Sequence, residues 1–169
     1  MKLIGLAGWS GAGKTTLLTR LIPCLAARRI GVSTLKHAHH RFDVDTPGKD
    51  SWLHRDAGAR QVLVSSEHRW ALMTENRGAP EPTLGLLLSR LSPVDLVIVE
   101  GFKRDTHPKI EVHRAANGKP WIHPDDPHVV AVASDVRPPA DLPWSPLDDV
   151  GAVADLVQRF AVDLAAWQG

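Results

Sequence analysis

Cysteine is nearly absent from this chain of 169 residues: Cys24 stands alone. No disulfide can close within the chain, no cysteine-based metal spacing exists, and a reducing compartment suits the composition. Long apolar runs are missing too, since no stretch reaches the roughly 18 residues that a bilayer span requires. Charge of one sign is also lacking. Twenty Lys and Arg face nineteen Asp and Glu, for a formal net charge of +1. That balance gives no electrostatic reason for a nucleic-acid or membrane-surface partner, so any phosphate must be held by local design. No internal repeat or low-complexity segment interrupts the chain. From Lys2 it runs directly into strand-like residues without a signal-type apolar core, and the expectation is a cytoplasmic protein. The length suits one domain over residues 1–169, large enough to bury a single core.

The order of patterns reads as strand and helix in alternation. Residues 2–7 form a short apolar run, and residues 8–13 a glycine loop. Residues 14–29 carry Leu17, Leu18, Leu21, Ile22, Leu25 and Ala26 on one broad helical face. Pro23 falls inside that helix, where a kink is expected. Residues 32–35 read as a second strand and residues 51–59 as a short helix. Residues 61–65 and 69–74 form a hairpin-like pair, taken as a ribbon appended to the sheet. Residues 83–91 read as helix, and 95–99, 110–113 and 129–133 as strands. Seven of the thirteen prolines lie between residues 120 and 146, which marks that stretch as mostly irregular. A last helix is expected over about 149–167. This alternation argues for an α/β fold with a mostly parallel sheet, helices on both faces and a short antiparallel ribbon, and the glycine loop between the first strand and the first helix makes it P-loop NTPase-like.

The sharpest motif is Gly8-Trp9-Ser10-Gly11-Ala12-Gly13-Lys14-Thr15, which matches G-x-x-x-x-G-K-[ST] at every fixed position. It stands between an apolar strand and an amphipathic helix, where this motif has mechanical meaning. The glycines let backbone amides converge on phosphate oxygens, and the following helix aims its positive end at the same point. Lys14 would reach the β- and γ-phosphates, the Thr15 hydroxyl would bind Mg²⁺, and Thr16 closes the cradle. A second element is Asp95-Leu96-Val97-Ile98-Val99-Glu100-Gly101, an apolar strand ending in an acid, as in a Walker B strand. Glu100 is the candidate to hold the metal through water or to orient an attacking water. The acid is Glu, followed by Gly101-Phe102-Lys103, where small GTPases use Asp. Their guanine-reading Asn-Lys-x-Asp is absent. Asp135, after Val132-Ala133-Ser134, fits two readings: acceptor for a guanine's N1 and N2 groups, or solvated loop residue. Sequence alone leaves GTP against ATP open.

The segment from Lys36 to Ser51 is dense in His, Asp and Lys. In P-loop proteins the corresponding loop commonly faces the γ-phosphate and substrate. Asp43 and Asp45, two apart, would both face the metal in an extended loop, which makes Asp45 with Glu100 the candidate catalytic carboxylates. Lys49 and Asp50 are candidate ligand contacts, and Arg55 is either an anion contact or a helix-surface charge. His37, His39 and His40 have the look of a transition-metal cluster, but no second His group or Cys completes it.

Together these blocks resemble the molybdopterin-guanine dinucleotide biosynthesis adapter (MobB) family. The resemblance rests on residues 8–16, Lys36-His37 with His39-His40, Phe42-Asp43-Val44-Asp45 and Pro47-Gly48-Lys49-Asp50-Ser51. It continues through residues 55–59, 69–75, Val99-Glu100-Gly101-Phe102-Lys103 and 131–135, in order across about residues 2–136. It implies a GTP-binding P-loop protein that uses Mg²⁺ and forms a homodimer. Such a protein assists the MobA-type guanylyltransferase that joins GMP to molybdopterin, and is itself at most a weak GTPase. On that reading Asp43, Asp45, Lys49 and Asp50 would sense the γ-phosphate or hold the phosphate of a passing molybdopterin. The ribbon at residues 61–74 would carry the dimer contact, with Trp70 either its anchor or a core residue. Two rivals share the fold. One is a small-molecule P-loop kinase or ligase, for which Arg55, Arg60 and Arg104 are the nearest lid candidates. The other is a metal-delivery GTPase built on His37, His39 and His40.

Overall fold

The computed structural model describes residues 1–38 and 42–167. In chain order the elements are β1 (Lys2–Ala7), α1 (Lys14–Ala27), β2 (Val32–Lys36), α2 (Asp50–Asp56), β3 (Gln61–Ser65), β4 (Trp70–Thr74), α3 (Leu84–Leu88) and β5 (Leu96–Glu100). There follow β6 (Lys109–His113), β7 (Val129–Ser134), β8 (Trp144–Pro146), α4 (Val150–Phe160) and β9 (Val162–Asp163), with single 3₁₀ turns at Ala115–Asn117 and Leu164–Ala166. The chain divides into two compact units, Met1–His37 with Leu84–Gly169, and Ala38–Thr83.

In the first unit the sheet order is β2-β5-β1-β6-β7-β8, with β9 pairing β1. Every neighbouring pair along that path is parallel; β9 alone runs antiparallel. Side chains alternate between two cores, because a strand has period two. Leu3, Val97 and Val99 pack with Leu84 and Leu88 of α3. Ile4, Leu6, Ile98, Ile110 and Val112 pack with Leu17, Leu21 and Leu25 of α1 and with Val153 and Val157 of α4. Both faces are therefore covered by helices, as near-continuous apolar strands require.

Strand β6 breaks the usual reading of an alternating strand. Lys109, Glu111 and His113 lie on one face and are all buried. The segment around residues 120–128 covers them and supplies their partners. Lys109 Nζ donates to the Asp105 carbonyl at 2.5 Å and to Asp126 Oδ2 at 3.1 Å. Glu111 accepts from the backbone N–H of Ile122 at 2.7 Å and of His123 at 3.0 Å. His113 stacks on Trp121 with ring centroids 3.7 Å apart. The proline-rich stretch is thus a lid over a charged strand face.

Two expectations about elements need correction, the length of the last helix and the place of the ribbon. The last helix stops at Phe160 instead of reaching residue 167. Strand β6 pairs only with Gly5–Ala7 of β1, which leaves the first half of that edge open. Val162 and Asp163 fill the gap by pairing with Leu3 and Lys2. Pairing with the unpaired half of β1 takes the place of a further helical turn. The stretch over 120–146 holds a short strand, β8, because the edge of β7 is open to pairing at Val132–Ser134. The ribbon of β3 and β4 is its own two-stranded sheet and is not joined to the large one. Helix α1 runs unbroken through Pro23.

In the second unit, β3 and β4 pair in register with Leu63 opposite Leu72 and Ser65 opposite Trp70. Val62 is the one buried apolar side chain among its described residues. An ion cluster takes the place of a core. Arg55 donates through Nε to Asp45 at 2.7 Å, through one terminal nitrogen to Glu75 at 2.8 Å, and through the other to both oxygens of Asp43.

Candidate functional site

The ends of three parallel strands come out side by side in the first unit. Register places Leu6 of β1 opposite Glu100 of β5, and Lys36 of β2 opposite the same Glu100. Ligands of open parallel sheets bind at this carboxyl edge. The loop from Gly8 to Gly13 leaves β1 here and turns into α1. Only glycine fits at Gly8, because a Cβ there would sit 2.5 Å from the Val112 carbonyl oxygen of β6. Ala12 is buried in the core, whereas Trp9, Ser10, Gly11, Thr15 and Thr16 are exposed. The first turn of α1 contains no acidic side chain, and Gly13 at its cap makes no side-chain bond. Its free amides and the helix dipole therefore face an incoming anion without competition.

Lys14 folds back over the loop. Its Nζ donates to the carbonyls of Gly8 at 2.9 Å and Trp9 at 3.1 Å. Burial lowers its pKa, the Glu100 carboxylate opposes that, and the like charges of Lys103 and Lys36 push it further down. Glu100 is mostly buried, with a carboxylate oxygen 4.0 Å from Lys36 Nζ. The Thr15 hydroxyl on the first turn of α1 and the Glu100 carboxylate at the end of β5 are oxygen donors of the kind that a hard divalent cation such as Mg²⁺ takes.

A second loop grips the first. Residues 114–120 follow β6, and Asn117 Nδ2 donates to the Ser10 carbonyl at 2.9 Å. The Trp9 indole N–H donates to the Pro120 carbonyl at 2.7 Å. Asp135, at the end of β7, accepts from the backbone N–H of Ala115 at 2.8 Å through Oδ1. Its place is thus a loop-holding one, one hydrogen-bonded segment away from the phosphate loop. The Arg114 guanidinium lies beside Gly13, 3.7 Å from where a Cβ would stand.

The structure therefore brings together residues 8–16, Glu100 and, through the 114–120 loop, Asp135. Asp43, Asp45, Lys49 and Asp50 belong to the second unit. There Asp45 is nearly buried, with Ser51 Oγ donating to one oxygen at 2.9 Å and Arg55 to the other. Asp43 accepts from the Asp45 N–H at 3.0 Å. That bond and the Arg55 guanidinium hold its carboxyl below the usual range. Both carboxylates are engaged within their own unit, and Lys49 and Asp50 are exposed. His37 packs against Phe102 with centroids 4.8 Å apart; His39 and His40 lie outside the described residues. No group of three metal-type ligands occurs among the described residues, and none of their helices is long and apolar enough to cross a membrane. Sequence reasoning gave no role to Lys36, Lys103, Arg114 or Asn117. The Asn117-Gly118 pair signals a turn, but the chain separation of 107 residues between Asn117 and Ser10 hides their contact.

Comparison with known proteins agrees with this geometry. Residues 3–135 match the family model described as molybdopterin guanine dinucleotide synthesis protein B. A protein of Escherichia coli (strain K12) named molybdopterin-guanine dinucleotide biosynthesis adapter protein is 49% identical over 158 residues, or 92% of this chain and 90% of that one. A Haemophilus influenzae protein of the same name is 42% identical, covering 94% and 88%. A crystal structure titled molybdopterin-guanine biosynthesis protein B superimposes with a TM-score of 0.74 at 29% identity, over 93% of this chain and 97% of that one. The Bacillus subtilis MobB structure shares the fold at a TM-score of 0.71 and 22% identity.

Proposed function

The chain belongs to the molybdopterin guanine dinucleotide synthesis protein B family, and from that premise we propose that it is a GTP-binding adapter of molybdenum cofactor biosynthesis. The observation that carries the reading is the phosphate loop at the sheet's carboxyl edge, with Lys14 folded over it and Glu100 on the neighbouring strand. The nucleotide's phosphates lie across the amides of residues 8–16. Lys14 exchanges its two carbonyl acceptors for phosphate oxygens, which makes stronger charge-assisted bonds. Thr15 and Glu100 are the residues that would hold Mg²⁺, which would offset the charge of the β- and γ-phosphates. Asp135 has a second carboxylate oxygen beyond the one bound to Ala115, and that oxygen accepts from the guanine base. Hydrolysis is weak at most, since an adapter signals by the bound state. Within the second unit Arg55 holds Asp43 and Asp45, and the exposed Lys49 and Asp50 are proposed to contact a charged ligand of that unit.

The partner is the guanylyltransferase that makes molybdopterin-guanine dinucleotide, as the names of the relatives support, and the compartment is the cytoplasm. The chain acts as a homodimer through the ribbon. Leu63, Trp70 and Leu72 share one ribbon face and are exposed, Trp70 by 65%. An exposed aromatic beside a cross-strand pair of leucines suits self-association, and Trp70 is not the core residue that its type allowed. The test is to add the purified chain to the guanylyltransferase with GTP and molybdopterin. Wild type raises dinucleotide yield, and Lys14→Ala does not. Equal stimulation by both forms would contradict nucleotide-dependent adaptation.

A further inference from the structure

The turn after Glu100 has a backbone that needs explaining. Gly101 has φ 97° and Phe102 has φ 48°, two consecutive left-handed residues, the second one bulky. A non-glycine aromatic in this region is strained, and such strain persists only where the surroundings enforce it. The enforcement is visible. A Cβ on Gly101 would stand 2.6 Å from His37 Cβ, so the turn presses against the end of β2. The His37 N–H donates to the Glu100 carbonyl at 2.8 Å, and the Phe102 ring packs on the His37 ring. The product of this locked turn is the direction of the next side chain. Lys103 reaches across to the phosphate loop, with Nζ 4.8 Å from the centroid of the Trp9 ring.

Trp9 thus sits between two ammonium groups. Its carbonyl holds Lys14, and its indole face holds Lys103. An indole face attracts a cation far less than a phosphate oxygen does. Lys14 feels the opposite charge of Glu100 and the like charges of Lys103 and Lys36, and Lys36 Nζ lies 4.0 Å from the Glu100 carboxylate. Three cations to one anion leave a surplus of positive charge that matches the terminal phosphate of a nucleoside triphosphate better than a diphosphate.

We propose that Lys103 is the residue that distinguishes a triphosphate from a diphosphate, leaving the Trp9 ring to bind the third phosphate. The placement follows from chemistry: Lys103 stands three residues beyond Glu100, the acid that would hold a metal ion, and such an ion would offset charge at the outer phosphates. The strained Gly101-Phe102 turn holds the lysine stem in reach, so little ordering is needed on binding. This inference rests on the nucleotide reading of the phosphate loop, and it assigns that loop's state dependence to one side chain outside the motif.

Calorimetric titration of GTP and GDP, each with Mg²⁺, into wild type, Lys103→Met, Lys103→Arg and Lys14→Ala tests it. Lys103 is half-buried on a surface turn, so the Met variant keeps the stem and the fold. The expected result is a loss of about tenfold or more in GTP affinity for Lys103→Met, the effect of one charge-assisted hydrogen bond. GDP affinity changes less than threefold, and Lys103→Arg keeps the preference for GTP. Equal losses for both nucleotides, or none, would overturn the role of Lys103 while leaving the loop assignment intact. Absence of binding in wild type, or full binding by Lys14→Ala, would overturn the loop assignment and this inference with it.

Discussion

The two units of this chain are held together by different physics. In the first, apolar strands carry leucine, isoleucine and valine to two cores, and every neighbour along the main strand path pairs in parallel. In the second, Val62 alone is buried and apolar among the described residues, and Arg55 gathers three carboxylates instead. The difference teaches where a rigid binding geometry comes from. A phosphate cradle needs backbone amides fixed to fractions of an ångström, and close packing of a buried sheet supplies that. A unit held by ion pairs responds to salt, pH and charged ligands, because partly exposed charges are screened and titrate.

The contrast makes predictions of decreasing size. Ile98→Ala, at a fully buried position of β5, costs about 2–5 kcal/mol of global stability, measured by urea unfolding. A loss below about 1 kcal/mol would show that the first core is loosely packed. Next is pH. His107 is fully buried, and neither ring nitrogen has a hydrogen-bond partner among the described residues. Burial first, then the charges of Lys109 and His128 against that of Asp126, hold its pKa at about 4, while an unfolded histidine titrates near about 6.5. The folded state disfavours the cation, so the stabilisation is full above about pH 6.5 and falls away towards pH 4. A shift of that size amounts to about 3 kcal/mol, and His107→Leu flattens the slope over that window.

The second unit behaves differently. Its Asp43 carboxyl is held below the usual range, so that contribution is intact above about pH 4 and is lost on further acidification. Arg55→Ala leaves global unfolding close to wild type but raises proteolysis within residues 42–60 roughly tenfold. If cleavage stays at the wild-type rate, the ion cluster does not hold that unit. The smallest effect on folding is at Trp70. Trp70→Ala changes monomer stability by less than about 0.5 kcal/mol, as for an exposed side chain, yet weakens self-association in sedimentation equilibrium.

Much of the first unit was legible because its signals are local. Residues 2–7, 8–15 and 14–27 form a strand, glycine loop and helix in direct succession, and each carries its own periodicity or motif. Strand β5 announced itself as four apolar residues before an acid. The misreadings come from partners distant in sequence. Nothing in residues 149–167 says that β1 leaves half an edge open for Val162 and Asp163. The burial of Lys109, Glu111 and His113 depends on the covering segment at residues 120–128, which the strand's own residues do not reveal. The site was half legible for the same reason. The motif names Gly8 to Thr15, but Asn117 and Lys103 reach it from other strands' ends. Asp43 and Asp45 were read as metal-facing from spacing alone, and their engagement with Arg55 depends on a helix ten or more residues away.

The central claim is that the first unit's phosphate loop is the nucleotide site, and hydrogen exchange with and without GTP and Mg²⁺ tests it most directly. The expected result is slowed exchange at the amides of residues 8–16, with the 114–120 loop slowed alongside through Asn117 and Trp9, and both effects lost in Lys14→Ala. Unchanged exchange at residues 8–16 with protection confined to residues 42–60 would contradict the account and move the site to the unit held by Arg55.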